Sequence, residues 1–221
     1  MIYQLKNSTE KIGRGGYPQS QEIILEPGKT VKDSNFIWQI DKSEFPSFSP
    51  NTGTLKLMNG SKVTDFISAA TISWGFIISK KVKKILENFS LPPIRFYKCP
   101  IIHKGKIIEN YFLMHLICDL TDKIDFRSSD FYIDDFGDFK EHVEIDDLND
   151  FNTKIVELNK ESNFLEIKAS KLRFDKDYIL DIDIFQIESI SNKTFITKRI
   201  NDRFIEEKVT GIDILESRKF E

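Results

Sequence analysis

The clearest periodic pattern in the chain follows Ser79. Apolar residues recur there at helical spacing, namely Val82, Ile85, Leu86 and Phe89. Lysines and one glutamate occupy most of the positions between them. Ser79 can accept a hydrogen bond from an amide of the first turn, and the Pro92-Pro93 pair cannot continue a helix. The pattern therefore predicts a helix that begins after Ser79 and ends before Pro92.

Most other apolar runs are short and have strand composition. Residues 94–119 alternate or run apolar on both sides of His103-Lys104-Gly105-Lys106, a sequence typical of a β-hairpin turn. Residues 111–118 contain no Lys, Arg, Asp or Glu, which indicates a central strand covered on both faces. Further strand-like runs lie at 164–168, 171–174, 178–190 and 194–196.

A second strand-to-helix unit near the end of the chain resembles the first. Phe195 and Ile196 precede Thr197, which we predict to cap a helix. The predicted apolar stripe of this helix is Ile200, Phe204 and Ile205, and its predicted stop is Thr210-Gly211. Strand-like runs outnumber these two helices, and no regular βαβ alternation is present. The sequence therefore predicts an α+β fold, with a mainly antiparallel sheet and a few packed helices.

Glycine and proline are concentrated in the first 60 residues, where apolar runs are short. We expect residues 1–60 to form a loop-rich segment packed on a main α+β domain of residues 61–221. With 221 residues, 40% of them hydrophobic, the chain is long enough to bury a core without disulfides or metals.

Composition also narrows the function classes. A net charge of −3 offers no overall basic field for nucleic acid, and no nucleic-acid partner is expected. The longest run without charged residues, 66–79, is shorter than the roughly 20 apolar residues of a membrane-spanning helix. The N-terminus has no secretion-signal pattern, and Cys99 and Cys118 form no metal or redox motif. We therefore expect a cytoplasmic protein with no membrane partner.

No motif points to catalysis, a metal or a cofactor, and we predict none of these. His115, Cys118 and Asp119 could supply a nucleophile, a base and an orienting group, but alternation along a strand would direct His115 and Cys118 to opposite faces. Two alternatives stay open at this stage. One is a hydrolase that uses His115 or an acidic pair, and the other is a small-ligand or carbohydrate-binding module that uses Trp38 and Trp74.

The most unusual feature is an acidic block at residues 119–150, which holds 12 acidic and 3 basic residues. Its net charge is −9, and phenylalanines and a tyrosine are interleaved with the carboxylates. Carboxylates steer a basic protein partner, and exposed rings anchor an interface. The competing interpretation is a solvated face whose rings pack in the protein's own core. We predict the partner-binding residues to be Asp134, Asp135, Phe136, Asp138, Phe139, Glu141, Glu144, Asp146 and Asp147.

Four segments carry a resemblance to a known family: Ile77-Ile78-Ser79-Lys80-Lys81-Val82 with Ile85-Leu86, the run 111–118 leading into Asp122-Lys123-Ile124-Asp125-Phe126-Arg127-Ser128, the strand 178–186, and the closing helix from Phe195-Ile196-Thr197 to Thr210-Gly211-Ile212. Through them, residues 72–217 resemble a bacterial family of immunity proteins from polymorphic-toxin systems. The resemblance implies a cytoplasmic, non-enzymatic protein that binds a cognate toxin domain and blocks it. A toxin that attacks nucleic acid needs a basic cleft, which an acidic surface could occlude.

Overall fold

The computed structural model describes residues 1–220, the side chain of Asn192 excepted. The described chain contains three α-helices: α1 (Lys80–Leu86), α2 (Leu148–Glu161) and α3 (Lys198–Glu206). The strands of its first half are β1 (Ile2–Asn7), β2 (Ser20–Ile24), β3 (Thr54–Leu57), β4 (Phe66–Ile67), β5 (Phe76–Ser79), β6 (Ile94–Lys98), β7 (Ile101–His103), β8 (Lys106–Ile108) and β9 (Tyr111–Leu116). The second half adds β10 (Asp130–Asp135), β11 (Asp138–Val143), β12 (Leu165–Lys171), β13 (Ile184–Ile187), β14 (Ser191–Thr197) and β15 (Ile212–Glu216).

The strands form four sheets, which together with the three helices agree with the predicted α+β class. Their orders are β13-β14-β1-β15, β11-β10-β12, β2-β3-β7-β8 and β4-β5-β9-β6. Strands β3 and β7 pair in parallel, whereas the other named pairs with a defined register are antiparallel. Mainly antiparallel pairing is therefore as predicted, although it is divided among several small sheets.

The chain divides into two compact units. The first comprises Met1–Gln4, Cys118–Lys198 and the chain from Leu215 on, and the second comprises Leu5–Ile117 and Arg199–Ile214. Phenylalanines fill much of the first unit's core, including Phe126, Phe131, Phe151, Phe185 and Phe195. The core of the second unit is built around Phe36, Leu55, Ile77, Ile101 and Leu113.

The predicted segment 1–60 lies mostly in the second unit, which also holds residues 61–117. Besides β1 to β3, it contains one short 3₁₀ helix, Ile37–Gln39, and the rest is turns, bends and irregular chain. The division into a segment of residues 1–60 packed on a domain of residues 61–221 stays a prediction, and residue 221 lies outside the described residues.

Helix α1 begins as predicted and ends earlier. The Ser79 hydroxyl accepts the Val82 amide at 3.3 Å, and Val82, Ile85 and Leu86 are buried. The helix ends at Leu86 rather than near Pro92. The side-chain amide of Asn88 donates to the carbonyls of Lys84 and Ile85, at 2.8 and 3.4 Å, so it satisfies acceptors that a further helical turn would have used.

The apolar stripe predicted for α3 is only partly correct. Ile200 and Phe204 are buried, but Ile205 is 67% exposed. Adjacent residues on a helix point about 100° apart, so the burial of Phe204 directs Ile205 away from the core. The helix ends at Glu206, and Lys208 adopts a left-handed φ of 51° before the predicted stop at Gly211 is reached.

Two predicted β features are confirmed. Strands β7 and β8 form the hairpin around Lys104 and Gly105, whose φ angles of 51° and 76° are both positive. Strand β9 lies inside its sheet between β5 and β6. Its residues Tyr111, Leu113 and Met114 are buried, as expected for a central strand.

Helix α2 was not predicted. It starts at Leu148, inside the acidic block, and among its residues only Phe151 is fully buried. The helical signal is nevertheless present in the sequence, because Leu148, Phe151, Ile155 and Leu158 recur at helical spacing and pack on the core of the first unit. The prediction missed this helix because the segment was interpreted by its charge.

Candidate functional site

The central part of the acidic block forms a β-hairpin in the first unit. Strand β10 pairs on one side with β12 and on the other with β11, so β11 is an edge strand. Asp135 faces Asp138 across the end of the hairpin, and Phe136 and Gly137 form the two-residue turn. All residues of β11 from Asp138 to His142 are exposed. This hairpin therefore presents its outer strand to solvent along most of its length.

The turn places an aromatic side chain in an unfavourable backbone conformation. Phe136 has a φ of 53° and Gly137 a φ of 101°, the positive values of a type I′ turn. Glycine adopts such angles readily, but for other residues the left-handed region costs roughly 1–2 kcal/mol. The Phe136 ring is also 76% exposed, so burial in the protein's own core does not offset this cost. Strained residues of this kind concentrate at functional sites.

Asp134 has an internal role in the hairpin. It is only 4% exposed, and its Oδ2 accepts the Gly137 amide at 2.9 Å and the Lys168 ammonium at 2.5 Å. The hydrogen bond from Lys168 holds the pKa of Asp134 below its usual value. The same carboxylate raises the pKa of Lys168, with help from Glu166. The carboxylate of Asp134 thus closes the turn, and the ammonium of Lys168 on β12 balances its charge.

Four other carboxylates of the block differ from Asp134. Asp135, Asp138, Glu141 and Glu144 are exposed. None of them forms an ion pair with another residue in the described part of the chain. Their charges are therefore not compensated locally, and a basic partner would meet them directly.

The end of the acidic block organises the start of α2. Asp147 is the N-cap and accepts the Asp150 amide at 2.9 Å, while Asp150 accepts the Asp146 amide at 2.9 Å and the Lys154 ammonium at 2.6 Å. Asp146 also lies 3.1 Å from Arg127 in an exposed ion pair. Carboxylates in this position complement the positive end of a helix. Asp146 and Asp147 therefore have partners within the chain, although both are exposed.

The aromatic residues of the block divide into two groups. Phe126 and Phe131 contact each other in the core, and both contact Phe151, which directly follows the block, as the competing interpretation required. Phe136 and Phe139 are 76% and 57% exposed, as the interface interpretation required. The two interpretations thus apply to different rings of the same segment.

One exposed ring beside the hairpin was missed by the sequence reasoning. Phe164 lies outside the acidic block, yet its ring centroid is 4.3 Å from that of Phe136, and it is 57% exposed. The pairing of Asp135 with Leu165 brings it to the hairpin tip. No local signal identifies this neighbour, because the contact depends on the register between β10 and β12.

The two tryptophans of the alternative ligand-binding interpretation lie together in the second unit. Trp38 and Trp74, 36 positions apart, line one cleft of about 270 Å³ together with Thr71. Trp38 is 51% exposed and donates its indole N–H to the Thr71 carbonyl at 2.7 Å. The lining contains no carboxylate or side-chain amide, the groups that usually bind sugar hydroxyls. Lys42 and Ser73 also line the cleft and offer hydrogen-bonding groups to a polar ligand.

Burial shifts the pKa of both His115 and Cys118, two of the groups considered for catalysis. His115 is buried, its Nε2 lies 2.7 Å from the Lys42 carbonyl, and burial lowers its pKa. Burial raises the pKa of the Cys118 thiol. A nucleophilic cysteine needs the opposite shift.

No group of three or more His, Cys, Asp or Glu side chains among residues 1–220 could hold a metal ion. No helix in this part of the chain is long and apolar enough to cross a membrane.

Comparison with known proteins gives one informative match. A family model described as "Immunity protein family (Imm11)" matches residues 2–218. The match includes residues 2–71, which the sequence resemblance had left out. No curated protein matches the chain significantly.

Proposed function

Because this chain belongs to the Imm11 immunity protein family, we propose that it neutralises a cognate toxin by binding it stoichiometrically and occluding its functional surface. The contact is centred on the β10–β11 hairpin, with Phe136 as the anchor at its tip. The protein performs no chemistry on its partner and acts in the cytoplasm of the cell that it protects. The free thiols Cys99 and Cys118 agree with a reducing compartment.

The observation that carries this proposal is the exposed Phe136 ring in a left-handed turn. Asparagine or glycine would form the same turn at lower cost, so folding alone does not favour phenylalanine here. An aromatic residue that fills a pocket on a partner supplies several times the binding energy of an average interface residue. Phe164 packs against the ring and limits the positions it can adopt before binding.

The carboxylates around this anchor define the chemistry of the partner. Asp135 and Asp138 flank the turn, and Glu141 and Glu144 continue along and beyond the edge strand. Uncompensated negative charges attract a basic surface over about 10 Å at moderate salt and accelerate association. A toxin with a basic cleft is therefore the expected partner. Asp134, Asp146 and Asp147, which have partners within the chain, support the hairpin and α2 instead of supplying most of the attraction.

Charge reversal at the hairpin tests the proposal. The variant D135K/D138K/E141K/E144K should associate with the toxin encoded beside this gene at least ten-fold more slowly at low salt. The deficit should shrink as salt is raised, because exposed charges are screened. A matched control reverses four exposed glutamates of the second unit, E10K/E26K/E44K/E109K, with the same change in net charge. Equal slowing in both variants would mean that only net charge matters, and the hairpin would not be the interface.

Co-expression tests the function itself. Cells that produce the neighbouring toxin should survive when they also produce the wild-type chain, and survival should decrease with the hairpin variant. Failure of the wild-type chain to form a complex or to rescue these cells would refute the immunity function toward that toxin. Rescue by the wild-type chain and the hairpin variant alike would retain the function and reject the hairpin as its site.

A further inference from the structure

A cleft in the first unit is lined by five apolar side chains, three lysines, two glutamates and three uncharged polar residues. It has a volume of about 340 Å³ and lies among α2, β12 and the connection between β13 and β14. Its apolar lining consists of Ile155, Leu158, Leu165, Ile167 and Ile190. Three lysines, Lys168, Lys193 and Lys219, contribute to the same lining. Pockets for small ligands have this size and this combination of an apolar surface with a few charged groups.

The three lysines differ in how their charges are balanced. Lys168 is held by Asp134 at 2.5 Å and by Glu166 at 3.4 Å. Lys193 and Lys219 form no ion pair within the described part of the chain, although Glu166 and Glu188 also line the cleft. Two ammonium groups thus share one cleft without a carboxylate of their own.

The position of Lys219 is electrostatically unfavourable. Burial lowers the pKa of its ammonium, and the positive charges of Lys193 and Lys168 lower it further. Its backbone is fixed nearby, because the Lys219 carbonyl accepts the Leu172 amide at 2.6 Å. An anion in the cleft would remove the repulsion between these lysines and stabilise the charged form of Lys219.

We propose that this cleft binds a small carboxylate that has an apolar body, with Lys219 and Lys193 holding the carboxylate and the isoleucines and leucines covering the body. Charge complementarity selects the carboxylate, since both uncompensated groups are cations. The apolar lining selects the body, since it loses water on binding. A small inorganic anion has no apolar body to bury, and a neutral alcohol has no charge to pair with the lysines. Both should therefore bind more weakly than a carboxylate with an apolar body. The proposal does not require the toxin contact, although Lys168 both lines the cleft and holds Asp134 of the hairpin.

Titration of the full chain with octanoate tests the site, with acetate and octanol as partial ligands. We expect saturable octanoate binding by calorimetry, and roughly ten-fold or more weakening in K219M, the size of one lost charge-assisted contact. Methionine keeps most of the aliphatic stem of lysine, and K219R keeps the charge and should retain most of the affinity. K176M is the control, since Lys176 is an exposed lysine of the same unit that does not line the cleft.

Several results would overturn the proposal. The wild-type chain could fail to bind octanoate saturably, or it could bind octanol and octanoate with equal affinity. The K193M/K219M double variant could also keep the wild-type affinity for octanoate. Chemical-shift changes on octanoate addition that avoid Leu158, Ile190 and Lys219 would also reject this cleft. An unaltered amide spectrum of each variant verifies its fold, so that lost binding is not attributed to unfolding.

Discussion

Replacing Phe136 by asparagine separates the binding role of the hairpin tip from its folding role. The wild-type residue has a φ of 53°, which costs most residues other than glycine, asparagine and aspartate about 1–2 kcal/mol. Asparagine tolerates this conformation, and Asn-Gly is a preferred type I′ pair. The substitution removes the ring contact with Phe164, which is worth about 0.5–1.5 kcal/mol for an aromatic pair. These contributions oppose each other, so the free energy of unfolding should stay within about 1 kcal/mol of the wild-type value.

Toxin binding by the same variant should weaken much more. Truncation of an aromatic anchor typically costs about 2 kcal/mol or more, which raises Kd by at least roughly ten-fold. Urea unfolding measures the stability of F136N, and biolayer interferometry with the immobilised toxin measures its Kd. We expect most of the loss in the dissociation rate, because Phe136 contributes contact area and no charge.

The control for this prediction is F48N. Phe48 is another exposed phenylalanine, 44% accessible, in the second unit and without a positive φ. Its replacement should change toxin affinity by less than about two-fold, since an exposed ring outside an interface contributes little. Unchanged affinity of F136N would exclude the hairpin tip as an anchor. A loss of stability above about 2 kcal/mol would refute the argument that the wild-type turn is strained.

Two further predictions concern the acidic residues with internal partners. The pKa of Asp134 is lowered mainly by Lys168, so its contribution to stability is present above the ordinary aspartate value near 3.8 and is lost as pH falls through the lower folded value. In urea unfolding between pH 2 and 6, the stability difference between wild type and D134N should therefore disappear at the acidic end. A stability difference that does not change with pH would contradict this role of Lys168. D147A removes the N-cap of α2 and should lower the free energy of unfolding by about 1 kcal/mol. The rate of toxin association should change far less than in the hairpin charge-reversal variant. A stability equal to that of the wild type would contradict the capping role of Asp147.

Features that depend on neighbours in sequence were predictable from the chain alone. Ser79 caps α1 because its hydroxyl needs only the amide three residues on, and the hairpin at Lys104-Gly105 needs only two residues that accept positive φ. The run 111–118, which includes β9, indicated a buried strand because it contains no charged side chain. The family resemblance rested on such segments, and the match to residues 2–218 confirms it.

Tertiary structure alone decided what each acidic residue does. Within one block of similar residues, Asp134 is buried against Lys168, Asp147 caps a helix, and Asp135 is exposed and forms no ion pair with any described residue. Charge counting cannot separate these cases, because the partner of Asp134 lies 34 residues away and is brought to it by strand pairing. The stacking of Phe164 on Phe136 likewise depends on long-range register. Sequence therefore located the acidic, aromatic segment, while pairing between distant strands determined which of its side chains remain available to a partner.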